Sequence, residues 1–263
     1  MKELSVIIVC KNEDAVLEHT LESVQGLTAD VVLYDSGSQD ATLDIARKFQ
    51  VQLHQGAWEG FGKTKQKVTI LAAYDWVLGL DADEELDEEL KKSLLNISLD
   101  RENVVYAIRR KNYFGNTLLK YGEWGSDTQI RLFNRRNVNW NDAIVHEKLV
   151  LPAGTIVKKL SGYIIHRTTK DLHEYAGKVA RYAMLDAEKK YTQGKKTSWF
   201  KMRVAPGFAF FNNFFLKLGF LDGSAGFICA KMTAYYTFLK NARLRELNLQ
   251  NPTRRYKKLF KNE

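Results

Sequence analysis

The chain is poor in cysteine: its 263 residues include two, Cys10 and Cys229, far apart and in no metal-binding or disulfide spacing. A disulfide framework is thereby excluded, and the two thiols read as small buried apolar side chains in a reducing compartment. A secretory leader is not expected, because Met1 to Glu13 carries acidic residues and a strand-length apolar run in place of a charged region and signal core. No stretch reaches the roughly eighteen uninterrupted apolar residues of a spanning helix. The first apolar run is followed by Cys10, Lys11, Asn12 and Glu13 where a nucleotidyltransferase would place a glycine-rich phosphate loop. The Asp-x-Asp-x-Asp-Gly frame of a calcium loop is missing as well.

What is present is an ordinary globular composition, 45% hydrophobic and 27% charged, with an uneven distribution of charge. Residues 1–150 hold 18 Lys and Arg against 24 Asp and Glu, whereas residues 151–263 hold 22 against 7. The chain is electrically two-part, and the basic half implies a polyanionic partner, either nucleic acid or an anionic membrane surface.

Leu4 to Val9 is a continuous aliphatic run that suits a parallel strand covered on both faces. Val16, Leu17, Leu21 and Val24 then follow helical spacing, closed by Gly26. Val31 to Tyr34, Val51 to Leu53 and Trp76 to Leu80 read as further strands, separated by helices around Leu43 to Phe49 and 63–73. Such alternation implies an α/β fold with a doubly wound, mostly parallel sheet, whose ligands bind outside the carboxyl ends of the strands.

Two polar segments sit at those ends. Asp35 to Asp40 is a turn in which Gly37 permits the bend and Ser38 or Asp40 caps a helix, or else a nucleotide pocket in which Asp35 accepts from a base or ribose hydroxyl. Asp81-Ala82-Asp83 ends the fourth strand. Glu84, Glu85, Asp87, Glu88 and Glu89 fit an acidic first helical turn, but Asp81 does not. Two carboxylates on one side of an extended tip suit Mg²⁺ or Mn²⁺ bridging a diphosphate, with phosphate and water completing the octahedron.

Three features together, the strand Val6 to Val9 with Cys10-Lys11-Asn12-Glu13, the Asp35 turn, and Asp75 to Glu84, resemble family 2 glycosyltransferases with the GT-A fold. Leu218 to Gly226, reading Leu-Gly-Phe-Leu-Asp-Gly-Ser-Ala-Gly, is similar to bacterial lipopolysaccharide-core glucosyltransferases. The resemblance implies a catalytic GT-A domain over residues 1–170 and a basic, aromatic-rich helical region over 171–263. It implies a nucleotide-sugar donor, with uracil favoured as the base. Asp35 would hold the base, Asp81 the ribose and Asp83 the metal, with Asn12, Glu13, Lys65 and Gln66 also in the donor-binding set. The family usually places Arg-Asn or Lys-Asn about fifteen residues before the first motif Asp; here the pair is Lys65-Gln66, with a longer amide reach.

Family membership further implies inversion by a single displacement, which needs a general base for the acceptor hydroxyl and cationic charge for the departing diphosphate. Glu147, in the segment Ile144 to Lys148, is the preferred base and Asp127, after Trp124-Gly125-Ser126, is the runner-up. Either could instead form a salt bridge with Arg131, Arg135 or Lys148. Arg131, within the strand-like run Gln129 to Phe133, could serve the diphosphate. His166, closing the run Tyr163 to Ile165, resembles a late histidine used as a third metal ligand, or is a satisfied core side chain. His146 could orient Glu147 or bind acceptor.

Residues 199–221 set Trp199, Phe200, Phe208, Phe210, Phe211, Phe214, Phe215 and Phe220 among Lys201, Arg203 and Lys217. The phenylalanines form an apolar surface and do not alternate as single stacking platforms, so nucleic acid is not the expected partner. The expectation is an amphipathic helical region on the inner face of the cytoplasmic membrane, with Arg254, Arg255, Lys257, Lys258 and Lys261 adding a patch for anionic lipid. A packed helical subdomain or a homodimer interface is the alternative. The expected acceptor is a lipid-linked glycan of the lipopolysaccharide-core type, or otherwise a polyprenyl phosphate.

Overall fold

A computed structural model describes residues 2–144 and 147–250. His146 and the cations from Arg254 to Lys261 lie outside the described residues. The chain divides into two compact units, one of residues 1–118 and 126–168, the other of residues 119–125 and 169–263.

The first unit begins as the apolar runs require. Strand β1 (Ser5–Cys10) leads through α1 (Leu17–Val24) to β2 (Asp30–Asp35), through α2 (Thr42–Lys48) to β3 (Gln52–Gln55), and through α3 (Phe61–Leu71) to β4 (Trp76–Asp81). These four strands are parallel in the order β3-β2-β1-β4. Burial on both faces explains their unbroken aliphatic sequence: Val6, Ile8, Leu33, Leu78 and Leu80 pack on one side, Ile7, Val32 and Val77 on the other. α1 turns Leu17, Leu21 and Val24 inward, and Gly26 beyond it takes a left-handed φ of 74°, which closes the helix.

Beyond β4 the chain departs from simple alternation. β5 (Glu84–Leu86) precedes α4 (Glu88–Asn96), β6 (Val104–Phe114), β7 (Thr117–Leu119), β8 (Thr128–Asn134), β9 (Asn139–Trp140), β10 (Leu149–Val150) and β11 (Ile156–Thr169). β8 joins β4 antiparallel, β6 joins β8 antiparallel, and β11 pairs antiparallel with β5. The sheet is therefore mixed, parallel in its first half only, which corrects the expectation of a mostly parallel sheet. Glu84 and Glu85 likewise prove to be strand residues and not the first turn of a helix. α4 starts later, capped by Asp87, whose side chain accepts from the Leu90 amide.

The second unit is helical: α5 (Leu172–Thr192), α6 (Trp199–Phe211) continuing into a π-helical turn (Asn212–Leu216), a short 3-10 turn (Gly219–Asp222), and α7 (Gly223–Gln250). The Leu218–Gly226 motif has a packing role here. A Cβ at Gly226 would meet the Gly219 carbonyl at 1.9 Å, and Asp222 accepts from the amides of Lys120 (3.0 Å) and Tyr121 (2.9 Å). Cys10 and Cys229 are both free and buried, as their spacing implied.

Candidate active site

The order β3-β2-β1-β4 places the reversal of winding at β1, so β2 and β4 diverge from it and leave a crevice beyond the carboxyl ends. Asp35 stands opposite Cys10 at the end of β2, and Asp81 stands opposite Val9 at the end of β4. The loops after β1 and β2 are stitched together over this edge. The Asn12 amide donates to Ser38 Oγ and Asn12 Oδ1 accepts from the Gln39 amide, both at 2.8 Å, while the Glu13 amide donates to Thr42 Oγ1 at 2.8 Å. Asn12 adopts a left-handed φ of 55° to make the turn.

Asp35 is fully buried and organises its own loop. Its carboxylate accepts from the amides of Gly37 (3.0 Å) and Ser38 (3.1 Å) and from the Ser38 hydroxyl. Burial opposes the charged form, but these hydrogen bonds outweigh it and hold Asp35 below the ordinary carboxylate range.

At the end of β4, acidic and basic side chains alternate in one connected chain. Glu147 meets Lys65 Nζ at 2.6 Å, Lys65 meets Asp81 at 2.8 Å, and Asp81 meets Arg131 Nη2 at 2.7 Å. Arg131 pairs with Glu84, Glu84 with Arg110 Nη1 at 2.8 Å, and Arg110 Nε with Asp127 at 2.8 Å. Burial of Asp81 works against its charge, yet Arg131 and Lys65 prevail and keep it well below the usual range. Asp127 behaves alike: burial raises it and the Arg110 guanidinium more than compensates. Lys65 and Arg131, whose own burial disfavours charge, are raised by the same carboxylates. Both lowered carboxylates contribute stability that is complete above their unfolded values, about pH 4, and lost as pH falls through the folded ones. Urea midpoints should therefore be level from neutral pH to about pH 5 and decline below about pH 4.

A second arm of polar contacts reaches Asp83. His166 Nε2 lies 3.5 Å from Asp83 Oδ2, and His166 Nδ1 contacts Asn112 Oδ1 at 2.6 Å. With Asn112 Oδ1 accepting from Nδ1–H, the Nε2 lone pair is directed to the Asp83 side. Asn112 Nδ2 in turn reaches Asp127 at 3.5 Å, so the metal candidates, both base candidates and Asp81 belong to one network.

Among the described residues no cluster of three His, Cys, Asp or Glu ligands occurs. The pair Asp83 and His166 nonetheless fits a cation completed by phosphate and water, which asks for few protein ligands. The charge balance is compatible with the same group: Asp81, Asp83, Glu84, Asp127 and Glu147 outnumber Lys65, Arg110 and Arg131.

Most residues singled out in the sequence converge here, while some do not. Gln66 turns away from Asp81: its amide donates to the Trp140 carbonyl (2.6 Å) and to Asp142 (2.9 Å), tethering that loop to α3. Glu147 and Asp127 form ion pairs, but with Lys65 and Arg110 in place of the partners considered from sequence. Three members went unnoticed: Glu84 as a buried bridge, Arg110 and Asn112. Their signal was strand parity. Ile108, Arg110 and Asn112 alternate along β6, and Glu84 shares the inward side of β5 with Leu86.

Glu84 is 0% exposed, pairs with two arginines and accepts from the Asp81 amide at 3.0 Å. Glu84→Gln should cost about 3 kcal/mol of unfolding free energy, because two neighbouring guanidinium groups lose their shared counter-charge. Urea denaturation measures this, and a loss below about 1 kcal/mol would show that the two arginines find other partners.

Residues 5–151 match the family model described as Glycosyl transferase family 2, which covers more than half the chain. The chain belongs to that family; it is a glycosyltransferase with a GT-A-type α/β fold, as the motifs implied. An uncharacterized glycosyltransferase of Rickettsia typhi is 30% identical over 95% of this chain and 89% of its own length. The lipopolysaccharide core biosynthesis glycosyltransferase LpsC of Rhizobium meliloti is 27% identical, covering 92% of this chain and 91% of its own, so the similarity seen at Leu218 to Gly226 extends along most of the chain. Among solved structures, S. aureus TarS 1–349 aligns over 97% of this chain and 92% of its own at 15% identity and TM-score 0.48.

Proposed function

We propose that the enzyme transfers a sugar, with inversion, from a uridine diphosphate sugar to a lipid-linked glycan of the lipopolysaccharide-core type. The observation that carries the donor half is the convergence of Asp81, Asp83, His166, Lys65 and Arg131 on one strand tip at the reversal of winding. Asp83 and His166 would hold Mg²⁺ or Mn²⁺, which supplies charge stabilisation to the departing diphosphate. Lys65 and Arg131 are the cations nearest Asp81, and would supply positive charge beside the departing diphosphate. Asp35 shapes the loop against which the base lies. Glu147, 16% exposed and paired with Lys65, takes the proton from the acceptor hydroxyl. The acceptor class is supported by the likeness to LpsC over nearly the whole chain.

The test is calorimetric titration with UDP, GDP and UDP-sugars, with and without Mn²⁺. UDP should bind in the presence of Mn²⁺ and lose at least about tenfold in affinity with chelator, because the acidic site then faces the diphosphate uncompensated. Tighter binding of GDP, or UDP binding indifferent to metal, would refute the donor assignment.

A further inference from the structure

α6 and its π-helical turn present an outward apolar stripe. Phe200, Val204, Phe208, Phe211 and Phe215 recur at four, four, three and four residues, one face of a helix, and each is between 47 and 69% exposed. α6 itself contributes no buried side chain. Hydrophobic surface patterned like the core-facing side of a helix, yet facing solvent, marks a contact surface.

The charges around it select the occupant. Residues 199–221 contain Lys201, Arg203 and Lys217 and no Asp or Glu. Arg203 lies 4.7 Å over the Trp199 ring beside the start of the stripe, and Lys231 of α7 lies 4.7 Å over Phe210 and 5.4 Å over Phe227. A second copy packed on the stripe about a two-fold axis would bring the same cations together. Anionic headgroups would neutralise them. No single helix among the described residues is long and apolar enough to cross a membrane, but the segments 199–216 and 219–250 meet at a bend of 74°. That bend lets the first segment, about 27 Å long, lie flat while α7 leaves the plane.

We infer that residues 199–216 are an interfacial anchor for an anionic bilayer, with the Phe200–Phe215 stripe toward the acyl chains and Lys201, Arg203 and Lys217 at phosphate level. This goes beyond the donor chemistry and is independent of it.

Flotation of the full chain with phosphatidylcholine vesicles, with and without roughly one-third phosphatidylglycerol, reads the anchor directly. The protein should float with the anionic vesicles and be released by high salt. Phe208→Glu with Phe215→Glu should reduce the bound fraction at least about tenfold, since two large apolar contacts are replaced by charge. Both sites are exposed, so circular dichroism and the unfolding midpoint should not change. Equal flotation of variant and wild type, wild-type binding indifferent to anionic lipid, or failure to bind either vesicle overturns the inference. So does a wild-type dimer that the double substitution dissociates without altering flotation. None of these outcomes depends on UDP binding, so the donor reading stands or falls separately.

Discussion

Asp83→Ala should lower kcat/KM for sugar transfer by about 10³-fold, some 4 kcal/mol of transition-state stabilisation, with little change in the urea midpoint. The asymmetry follows from where Asp83 sits. It lies beyond the end of β4, and the alternating chain that braces the strand tip runs through Asp81, Glu84 and the arginines. Loss of its carboxylate leaves those ion pairs in place. What it removes is one of the two atoms that face each other across 3.5 Å, the other being His166 Nε2. Asn112 and Thr168 hold the His166 ring from its Nδ1 side at 2.6 and 3.0 Å, so the imidazole keeps its orientation in the variant. Mn²⁺ binding followed by electron paramagnetic resonance should weaken in parallel, a readout that needs no turnover. Asp83→Ala with full activity and unaltered Mn²⁺ affinity would falsify the assignment of Asp83 to the metal.

The strand tips that carry Asp35 and Asp81 were legible because their determinants are local. An unbroken aliphatic run ended by Asp81, and another ended by Asp35, identify strand tips without any knowledge of pairing, and the tips are where an α/β sheet binds ligands. The antiparallel half was not legible for the opposite reason. β5 is three residues long and exists because Glu84 to Leu86 pair with Ile164 to His166, eighty residues later. Read locally, the five acids from Glu84 to Glu89 satisfy a helix dipole, and only the distant strand reveals that Glu84 is buried against Arg110 and Arg131. Gln66 shows a related limit: adjacency to Lys65 suggests a shared role, but successive positions on a helix face different directions, and α3 sends Lys65 to Asp81 and Gln66 to the loop at Trp140.

Glu147→Gln should reduce kcat by between about 10² and 10⁴ while donor affinity changes little, whereas Asp127→Asn should act mainly on stability. Both carboxylates end the same alternating chain and both are slightly exposed, at 16 and 17%, so position alone does not separate them. Their partners do. Asp127 is fixed by a guanidinium using Nε and Nη2 together, and further by Gln129 at 3.0 Å. The lowered pKa that Arg110 imposes on it leaves little affinity for a proton. Glu147 is held by the single ammonium of Lys65, which it shares with Asp81, on a stem with more rotational freedom than a guanidinium fork. A nucleotide diphosphate arriving beside Asp81 would meet the same ammonium, whose three N–H donors could then serve Asp81, Glu147 and phosphate together. Donor binding and activation of the acceptor hydroxyl are coupled through one lysine on this account. Lys65→Met should accordingly weaken donor binding and also lower kcat, because Glu147 loses the contact that positions it. If Asp127→Asn abolishes transfer with donor binding intact and Glu147→Gln does not, the proton leaves by the other end of the chain.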